Sequence, residues 1–454
     1  MTLITHLTSP TSLPQALGGL SVLSYNILLP NSVDGWWNYK MYHPPLLPDM
    51  FHVSTWESRR ELLKERIALI DADVVCLQEV SPQSFEDDFS FMSEDLGYDG
   101  VELFKRGRFR PATFWRKNKC TLVEKPRHND RTLLTSFHVT QPLSNEDQNS
   151  VDDRNWHVLN CHLQAGSQGP RRVRQIEDGV TSAVKAARRL KEKDPTSPML
   201  VISGDFNGAD KCGAVRYLED GSIGPSFVED GEPVTSKERT MKTSCKFIDV
   251  PASIESRNPP ATMVVPEIIP ILVDGYTSAA YSDPKLSSDV RARLGRIYTK
   301  YSSCYETPNG NLHLMKTADV ENWLVDINGV VGRGDEFRNA AKEMGWKPSA
   351  PPSENDDKKE RITLPLDTVL TLDGFSNVYE AELQRGKFWG IAHDLAVLGE
   401  PLLVSATYQG RYDRMYCSSA LRPVAVLDTT CSQSCPNDTE PSDHLPVCAS
   451  FVMS

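Results

Sequence analysis

Short apolar runs recur along the chain, and several of them stop on a polar set. Val22-Leu23 runs into Ser24-Tyr25-Asn26, Val74-Val75-Cys76 into Leu77-Gln78-Glu79, and Met199 to Ile202 into Gly204-Asp205-Phe206-Asn207. Runs of this length predict buried strands. Ser21 to Leu29 reads as a strand ending at Pro30, and Asp73 to Leu77 as another. Between them, Leu62, Leu63, Ile67 and Ile70 recur at helical spacing within Trp56 to Ile70. Further strands are expected at 101–104, 112–115, 133–140 and 156–161, with the polar run Asn145 to Asp153 as a hairpin loop. An amphipathic helix follows over Gly169 to Lys193, and a strand over Pro198 to Ser203. This alternation predicts a mixed α/β domain. The segment Asn31 to Phe51, rich in Trp, Tyr and Pro, reads as a long loop over the rim.

At 454 residues the chain exceeds a usual single domain, so one domain with an insertion, or two domains, is expected. A hydrophobic content of 39% with 24% charged residues is that of a soluble globular protein. The net charge of −12 argues against broad, charge-driven coating of nucleic acid. It leaves room for a small basic cleft. Two local clusters, Lys105-Arg106-Gly107-Arg108-Phe109-Arg110 and Arg171-Arg172-Val173-Arg174, read equally as solvated faces or as phosphate contacts. Ten cysteines show no paired framework, and Cys76 and Cys161 sit inside apolar runs, which fits a reducing compartment. Cys431 and Cys435 flank Ser432-Gln433-Ser434 without a second pair to complete a zinc set, and read as a loop. No Lys or Arg precedes Lys40, and no apolar run approaches a membrane span. A soluble intracellular protein, cytoplasmic or nuclear, is the expectation.

Strand ends that share one rim bring distant residues together. Here, with Ser442-Asp443-His444-Leu445-Pro446-Val447 near the C-terminus, they would gather three carboxylates, two carboxamides and a histidine. Hard oxygen ligands beside amide and imidazole donors suit Mg²⁺ and a phosphate ester better than zinc or a redox centre. The set and its order resemble the endonuclease/exonuclease/phosphatase superfamily, which includes DNase I, apurinic endonucleases, sphingomyelinases, inositol phosphatases and nocturnin-like deadenylases. The resemblance covers Ser21 to Asp249 and Leu364 to the C-terminus, and Trp56 to Val80 is most similar to the deadenylase branch. It implies an α/β fold of two packed, mainly antiparallel β-sheets flanked by helices, the DNase I-like four-layer sandwich.

The resemblance also implies roles. Asn26, Glu79 and Asp443 would hold Mg²⁺, with Mn²⁺ able to substitute; Asp205 would act as base on the attacking water. Asn207 would turn its amide to the phosphate, and His444 would stabilise the phosphoryl oxygens with Asp413 as its partner. His162, in Asn160-Cys161-His162-Leu163, matches the family's phosphate-contacting histidine, and Arg172 and Arg174 would touch substrate from the next helix. Plainer readings stand beside these: a strand-end cap for Glu79, turn formers for Asp205 and Asn207, a surface residue for Asp413. Arg414 follows Asp413 where deadenylases usually carry Tyr, a departure towards inositol-phosphatase-like or DNA-end-processing relatives. His393-Asp394 has no family counterpart and reads as structural.

From Pro251 to about Arg361 roughly a hundred residues look inserted relative to the family. The expected division is 1–250 and 362–454 for the catalytic domain, with 251–361 as a helical insertion. Helices are predicted at Leu286 to Tyr301, Ala318 to Asn328 and Asp335 to Met344, and Pro348 to Lys359 reads as an exit linker. The helix, Gly310-containing loop and second helix resemble a degenerate EF-hand, as in some plant and algal relatives. With Gly310 sixth, Tyr305 falls first and Lys316 twelfth, where calcium needs Asp and Glu, so Ca²⁺ is not expected there. The leading expectation is a Mg²⁺-dependent phosphodiesterase acting on nucleic acid, a 3′ exoribonuclease of deadenylase type. Alternatives are a phosphatase of a nucleotide, inositol phosphate or other small metabolite, and a silent scaffold binding a protein partner through the insertion.

Overall fold

The computed structural model describes residues 3–6, 19–30, 55–104, 107, 109–140, 155–253, 259–275, 284–308, 310–332, 334–346, 368–429, 431 and 433–454. The aromatic rim loop with Trp36, Trp37, Tyr39 and Tyr42, the loop Asn145 to Asp153, the linker Pro348 to Lys359 and half of the first basic cluster (Lys105, Arg106 and Arg108) lie outside them. The chain divides into two compact units.

The first unit comprises the described residues of 1–39, 52–265 and 407–454. Seven strands form one sheet, in spatial order Leu3–His6, Leu421–Asp428, Val447–Met453, Leu20–Asn26, Val74–Val80, Arg110–Trp115 and Gly100–Leu103. The second seven-stranded sheet runs Phe247–Asp249, Asp413–Ser418, Met199–Asp205, Trp156–His162, Thr132–Val139 and Cys120–Leu122, with Arg127–Asn129 also paired to Thr132–Val139. Most pairs are antiparallel. Leu3–His6 beside Leu421–Asp428, Leu20–Asn26 beside Val74–Val80, and Trp156–His162 beside Met199–Asp205 are parallel.

Two-residue periodicity builds the layers. Val22, Val74 and Cys76 face Val158, Val201, Met415 and Cys417 of the other sheet. Their neighbours Leu23, Tyr25, Val75 and Leu77 face outward, against Leu63, Ile67 and Ile70 of the helix Trp56–Ile70. The second sheet turns Leu159, Leu200 and Ile202 to Val173, Ile176 and Val180 of the helix Gly169–Arg189. Helix, sheet, sheet and helix thus form the expected four layers, and each fully buried aliphatic side chain contributes roughly 1.5–3 kcal/mol. Thr55 caps the first helix on the Ser58 amide, and Asp71, at φ 51°, ends it in the left-handed region.

The second unit spans Pro266–Ala406. This differs from the expected 251–361. The described residues up to Val265 belong to the first unit, and the chain returns to it at Thr407. Two further helices, Leu372–Gln384 and Phe388–Val397, explain the shift. Their Phe375, Val378, Tyr379, Leu383, Ile391 and Leu395 share one core with Leu294, Trp323, Leu324 and Phe337 of the three predicted helices. The EF-hand-like loop is not formed. Between the helices Ser288–Tyr301 and Thr317–Asn328 lies a β-hairpin, Ser303–Thr307 against Gly310–Lys316, with Val369–Leu370 as third strand. Its backbone groups are spent on the ladder, and Lys316 rests over the Tyr305 ring at 4.9 Å. His393 is buried and bonds Asp394 at 2.8 Å, a structural pair. Among the described residues no helix is long and apolar enough to cross a membrane.

Candidate active site

Register brings the predicted residues to one rim of the first unit. In the second sheet, Asp205 pairs with His162 on one side and Asp413 on the other, so three adjacent strands end or begin on polar side chains. In the first sheet Asn26 pairs with Gln78, one residue before Glu79. Beneath the rim, between the sheets, Gln78 Nε2 donates to Ser24 Oγ (3.1 Å) and Asn160 Oδ1 (2.9 Å), a buried polar layer that locks the two sheets in register.

Two backbone devices aim the acids. The ladder between Val74–Val80 and Arg110–Trp115 slips between Leu77 and Val80, and Glu79 takes a φ of 65°. Such bulges re-aim a side chain. Glu79 Oε2 accepts the Leu29 amide at 3.0 Å, while Oε1 lies 3.4 Å from Asn26 Nδ2. The second device is Gly204, at φ 138°. A Cβ there would stand 1.9 Å from the Cys161 carbonyl oxygen, so only glycine lets the Asp205 and His162 strands approach.

Asp205 is the hub. Its Oδ2 accepts from Asn26 Nδ2 (3.0 Å) and Asn207 Nδ2 (3.1 Å), and its Oδ1 from the Asn207 amide (2.7 Å). His162 Nε2 lies 3.8 Å from both Asp205 Oδ2 and Glu79 Oε1. Asp413 Oδ2 meets His444 Nδ1 at 2.7 Å, both buried, and Asp413 Oδ1 has no hydrogen-bond partner among the described residues. Asp205, Asp413 and His444 together form a group whose ligand atoms lie within 4.8 Å of one another. Asp443 has Glu79, His444 and Asp413 as charged neighbours.

Electrostatics separates the members. Burial pushes the Asp205 carboxyl up to about 7; the His444 charge opposes this, and the Asp413 and Glu79 carboxylates add to it. Burial also raises Asp443. For His444 burial alone would favour the neutral ring, but the Asp413, Asp443 and Asp205 carboxylates outweigh it and hold it well above the usual histidine range. His162 moves the other way, to about 3, through burial and the nearby Arg131 guanidinium. Its Nδ1–H donates to the Phe109 carbonyl at 2.8 Å, so the neutral ring leaves a lone pair on Nε2. The two histidines therefore differ: one cationic, one neutral.

Three expected roles change in detail. Asn207 spends both amide hydrogens, on Asp205 and on the Leu163 carbonyl at 3.0 Å, so it orients Asp205. Arg172 does not reach the cluster. It is buried and donates to the Gln164 carbonyl (2.8 Å), the Gly166 carbonyl (2.5 Å) and Glu229, bracing the loop after His162. Arg174 is exposed on the helix, near Asp178, and is likewise not brought in. The Arg414 departure has a local outcome: its buried guanidinium donates to Asp210 (2.7 Å) and the Arg411 carbonyl (2.9 Å), bracing the loop after Asn207.

Sequence reasoning missed two supports. Arg59, fully buried, donates to the carbonyls of Ile27 (2.9 Å), Leu28 (2.7 Å), Leu29 (3.1 Å) and Pro441 (3.3 Å). It ties the segment after Asn26 to the one before Asp443. The available signal was an arginine on the Leu63, Ile67 face of its helix. Thr262 Oγ1 accepts the amides of Tyr412 and Asp413 at 3.0 and 2.9 Å. Beside His162, Arg110, Arg131 and Arg171 converge around Asp130. Arg171 grips its carboxylate at 2.9 and 3.1 Å, Arg110 its carbonyl at 2.9 Å, and Arg131 bonds Gln164 at 3.0 Å. Arg110 and Arg171 come from the two basic clusters seen in the sequence.

Residues 23–444 match the family described as the endonuclease/exonuclease/phosphatase family. Among curated proteins, the chain is similar to the CCR4-Not complex 3′-5′-exoribonuclease subunit Ccr4 of Schizosaccharomyces pombe, 25% identical over 217 residues, 37% of this chain and 31% of that protein. It is 26% identical to carbon catabolite repressor protein 4 homolog 6 of Arabidopsis thaliana over 220 residues, 44% of this chain and 27% of that one. With 2′,5′-phosphodiesterase 12 of Mus musculus it shares 25% over 231 residues, 45% and 36% of the two chains. The chain thus spans about a third of the length of these relatives. Among solved structures, ANGEL2, a 2′,3′-cyclic phosphatase, aligns at 16% identity and a TM-score of 0.48, over 97% of this chain and 98% of that one. The human Nocturnin catalytic domain aligns at 13% and 0.44, over 98% and 97%. With a family match that runs from the strand leading into Asn26 to His444 itself, the chain belongs to the endonuclease/exonuclease/phosphatase family.

Proposed function

We propose that this protein is a Mg²⁺-dependent phosphodiesterase of nucleic acid, a 3′ exoribonuclease of deadenylase type. The observation that carries the reading is the buried Asp413–His444 pair standing beside Asp205, on a rim that also holds Glu79 and Asn26. That arrangement offers a base, a cation and hard oxygen donors in one place.

The donors fit a hard divalent cation. Asn26 Nδ2 stands between Glu79 Oε1 and Asp205 Oδ2, an amide doing for two carboxylates what a cation does better. Glu79, Asp443 and Asn26, with its amide oxygen turned inward, would hold Mg²⁺, and Mn²⁺ would be accepted by the same set. His444 is left out of the ligand set, because its Nδ1–H is given to Asp413 Oδ2 and the imidazolium has no lone pair to give, and Asp413 is kept as the support of that charge. When bound, the ion supplies positive charge against the phosphate and its leaving oxygen.

The chain's own residues do the rest. Asp205 is pushed close to neutral pH, where a carboxylate makes an effective general base, and takes a proton from the attacking water. Asn207 holds its oxygens in place, and continues to do so when the Asn26 amide oxygen is turned to the ion. His444, kept cationic by Asp413, offers Nε2–H to the phosphoryl oxygens where negative charge builds. His162 sits within 3.8 Å of Asp205 and lines the same site. Arg110, Arg131 and Arg171 set three guanidinium groups against the single Asp130 carboxylate, which supports a substrate with further phosphates despite the acidic chain. The names of the relatives, an exoribonuclease and a 2′,5′-phosphodiesterase, support the same substrate class. A cytoplasmic or nuclear setting belongs to this reading, as does a protein partner on the helical unit, where Leu312, Val330 and Leu403 are exposed.

The test sets wild type against Asp205→Asn on poly(A) RNA, single-stranded DNA, a dinucleotide cofactor and inositol phosphates, with Mg²⁺ and with chelator. Shortening of poly(A) from its 3′ end, lost with the variant and the chelator, is expected. Preferred release of phosphate from a small metabolite would replace this reading with a metabolite phosphatase. A folded protein that turns over none of them would move the function to the helical unit.

A further inference from the structure

Cys431 and Cys435 are left unused by the chemistry above. Their sulfurs lie 3.9 Å apart, the shortest step from a disulfide being the closing of that gap to about 2.05 Å. Cys431 is half-buried, and with Cys304 it is accessible to solvent, while the remaining eight cysteines are buried. The Cys435 thiol hydrogen bond holds the Cys431 thiol down at about 6, so Cys431 is largely thiolate near neutrality. An accessible, low-pKa thiol with a second sulfur in reach is the arrangement of a redox-responsive pair.

The pair is tied to the active site through one residue. Cys435 donates its amide to the Val264 carbonyl at 2.6 Å, and Val264 donates its own amide to the Asp443 carbonyl at 3.3 Å. Cys435, Val264 and Leu445 also form one small apolar cluster, against which Cys431 packs. Leu445, just beyond His444, donates to the Thr262 carbonyl at 2.7 Å, and Thr262 Oγ1 holds the Asp413 amide. A displacement of Cys435 is thus passed to both neighbours of the Asp413–His444 pair.

We propose that Cys431 and Cys435 are a peroxide-sensitive dithiol, whose oxidation to a disulfide displaces the segment carrying Asp443 and His444. The Cys431 thiolate attacks a peroxide oxygen; the O–O bond breaks, hydroxide leaves and is protonated to water, and Cys431 becomes a sulfenic acid. The Cys435 sulfur then attacks Cys431 sulfur, the S–O bond breaks, and the departing hydroxide takes the Cys435 proton as a second water. Two thiols and one hydrogen peroxide give one disulfide and two waters. A thiol reductant reverses the step.

The experiment treats the full chain with graded hydrogen peroxide and maps peptides without reduction. The expected result is a Cys431–Cys435 linkage at lower peroxide than any adduct on Cys304, abolished in Cys431→Ser and reversed by dithiothreitol. Cys304 reacting first, or Cys431 passing to sulfinic acid with Cys435 unlinked, would overturn the dithiol. Coupling is read by amide exchange in the peptide covering 442–446, which should speed up on oxidation in wild type and stay unchanged in Cys431→Ser. Linkage without that change would overturn the coupling. Neither readout depends on turnover. The effect on hydrolysis rests on the function proposed above: a shift of ~1 Å would lower it by up to about a hundredfold.

Discussion

Replacing Gly204 by alanine tests the way the two active-site strands are joined. Gly204 precedes Asp205 and pairs with Cys161, which precedes His162. A Cβ at this position would lie 1.9 Å from the Cys161 carbonyl oxygen, 2.7 Å from its carbon and 2.8 Å from its nitrogen. Ordinary Cβ contacts begin at 3.4 Å, so about 1.5 Å (3.4 less 1.9) must come from backbone that is hydrogen-bonded on both sides. The φ of 138° adds strain of its own. Backbone strain and overpacking each cost about 1–3 kcal/mol, so a loss of about 2–6 kcal/mol is expected. Gly221→Ala is the control, because it has a φ of 73° with nothing within 4 Å of the added carbon and so isolates the strain from the clash. Urea unfolding followed by the fluorescence of Trp115 and Trp156, both in the core between the sheets, reads the first unit. Hydrolysis reads the separation of His162 from Asp205, at roughly a hundredfold per ångström of misplacement. If Gly204→Ala unfolds at the same urea concentration as Gly221→Ala and keeps its turnover, the argument for a glycine-dependent strand approach is wrong.

Arg59→Ala removes the guanidinium that four buried carbonyl oxygens share, and should lower stability by more than about 3 kcal/mol while loosening both Asn26 and Asp443; a urea titration and a Mg²⁺ titration would register the two effects. Asp413→Asn removes the strongest support for the His444 charge, so a pH–kcat profile should lose its activity at a lower pH on the alkaline side, with a fall of about 10³–10⁴ at neutrality. Glu382, buried in the helical unit, is raised to about 7, and the sign follows from linkage. Because the folded state holds the proton more tightly than the unfolded one, its contribution is fully present below about 4.5 and is lost as pH rises through about 7. Glu382→Gln should flatten that decline in unfolding experiments between pH 4.5 and 7.5; an unchanged slope would remove Glu382 as its source.

Much of the catalytic unit was legible because its physics is local. Alternation of Val22 and Leu23, or of Val74 and Val75, marks strands buried on both faces, and the polar set after each run marks a strand end. The three helices of the second unit were readable from their periodicity to within two residues at each end. Other elements were not. Phe388–Val397 is apolar nearly all round, with Trp389, Ile391, Ala392 and Leu395 crowded together, so it shows no face from which to read a helix. The hairpin Ser303–Thr307 and Gly310–Lys316 lay between two helices, and a loop with a central glycine suits a calcium loop and a β-turn equally until partners are known.

The same division runs through the active site. The sequence by itself determined which residues stand at strand ends, Asn26, Glu79, His162 and Asp205, since hydrophobic periodicity and strand length are properties of a few neighbouring residues. Only the tertiary structure decided what each faces. Arg172 and Arg174 are two positions apart on one helix, yet one is buried on Glu229 and the other exposed. Arg59 bonds carbonyls from segments more than four hundred residues apart. His162 and His444 are both buried, but a carbonyl partner leaves one neutral and a carboxylate partner makes the other a cation. Charge state, hydrogen-bond partner and reach depend on distances across the fold, which no local pattern encodes.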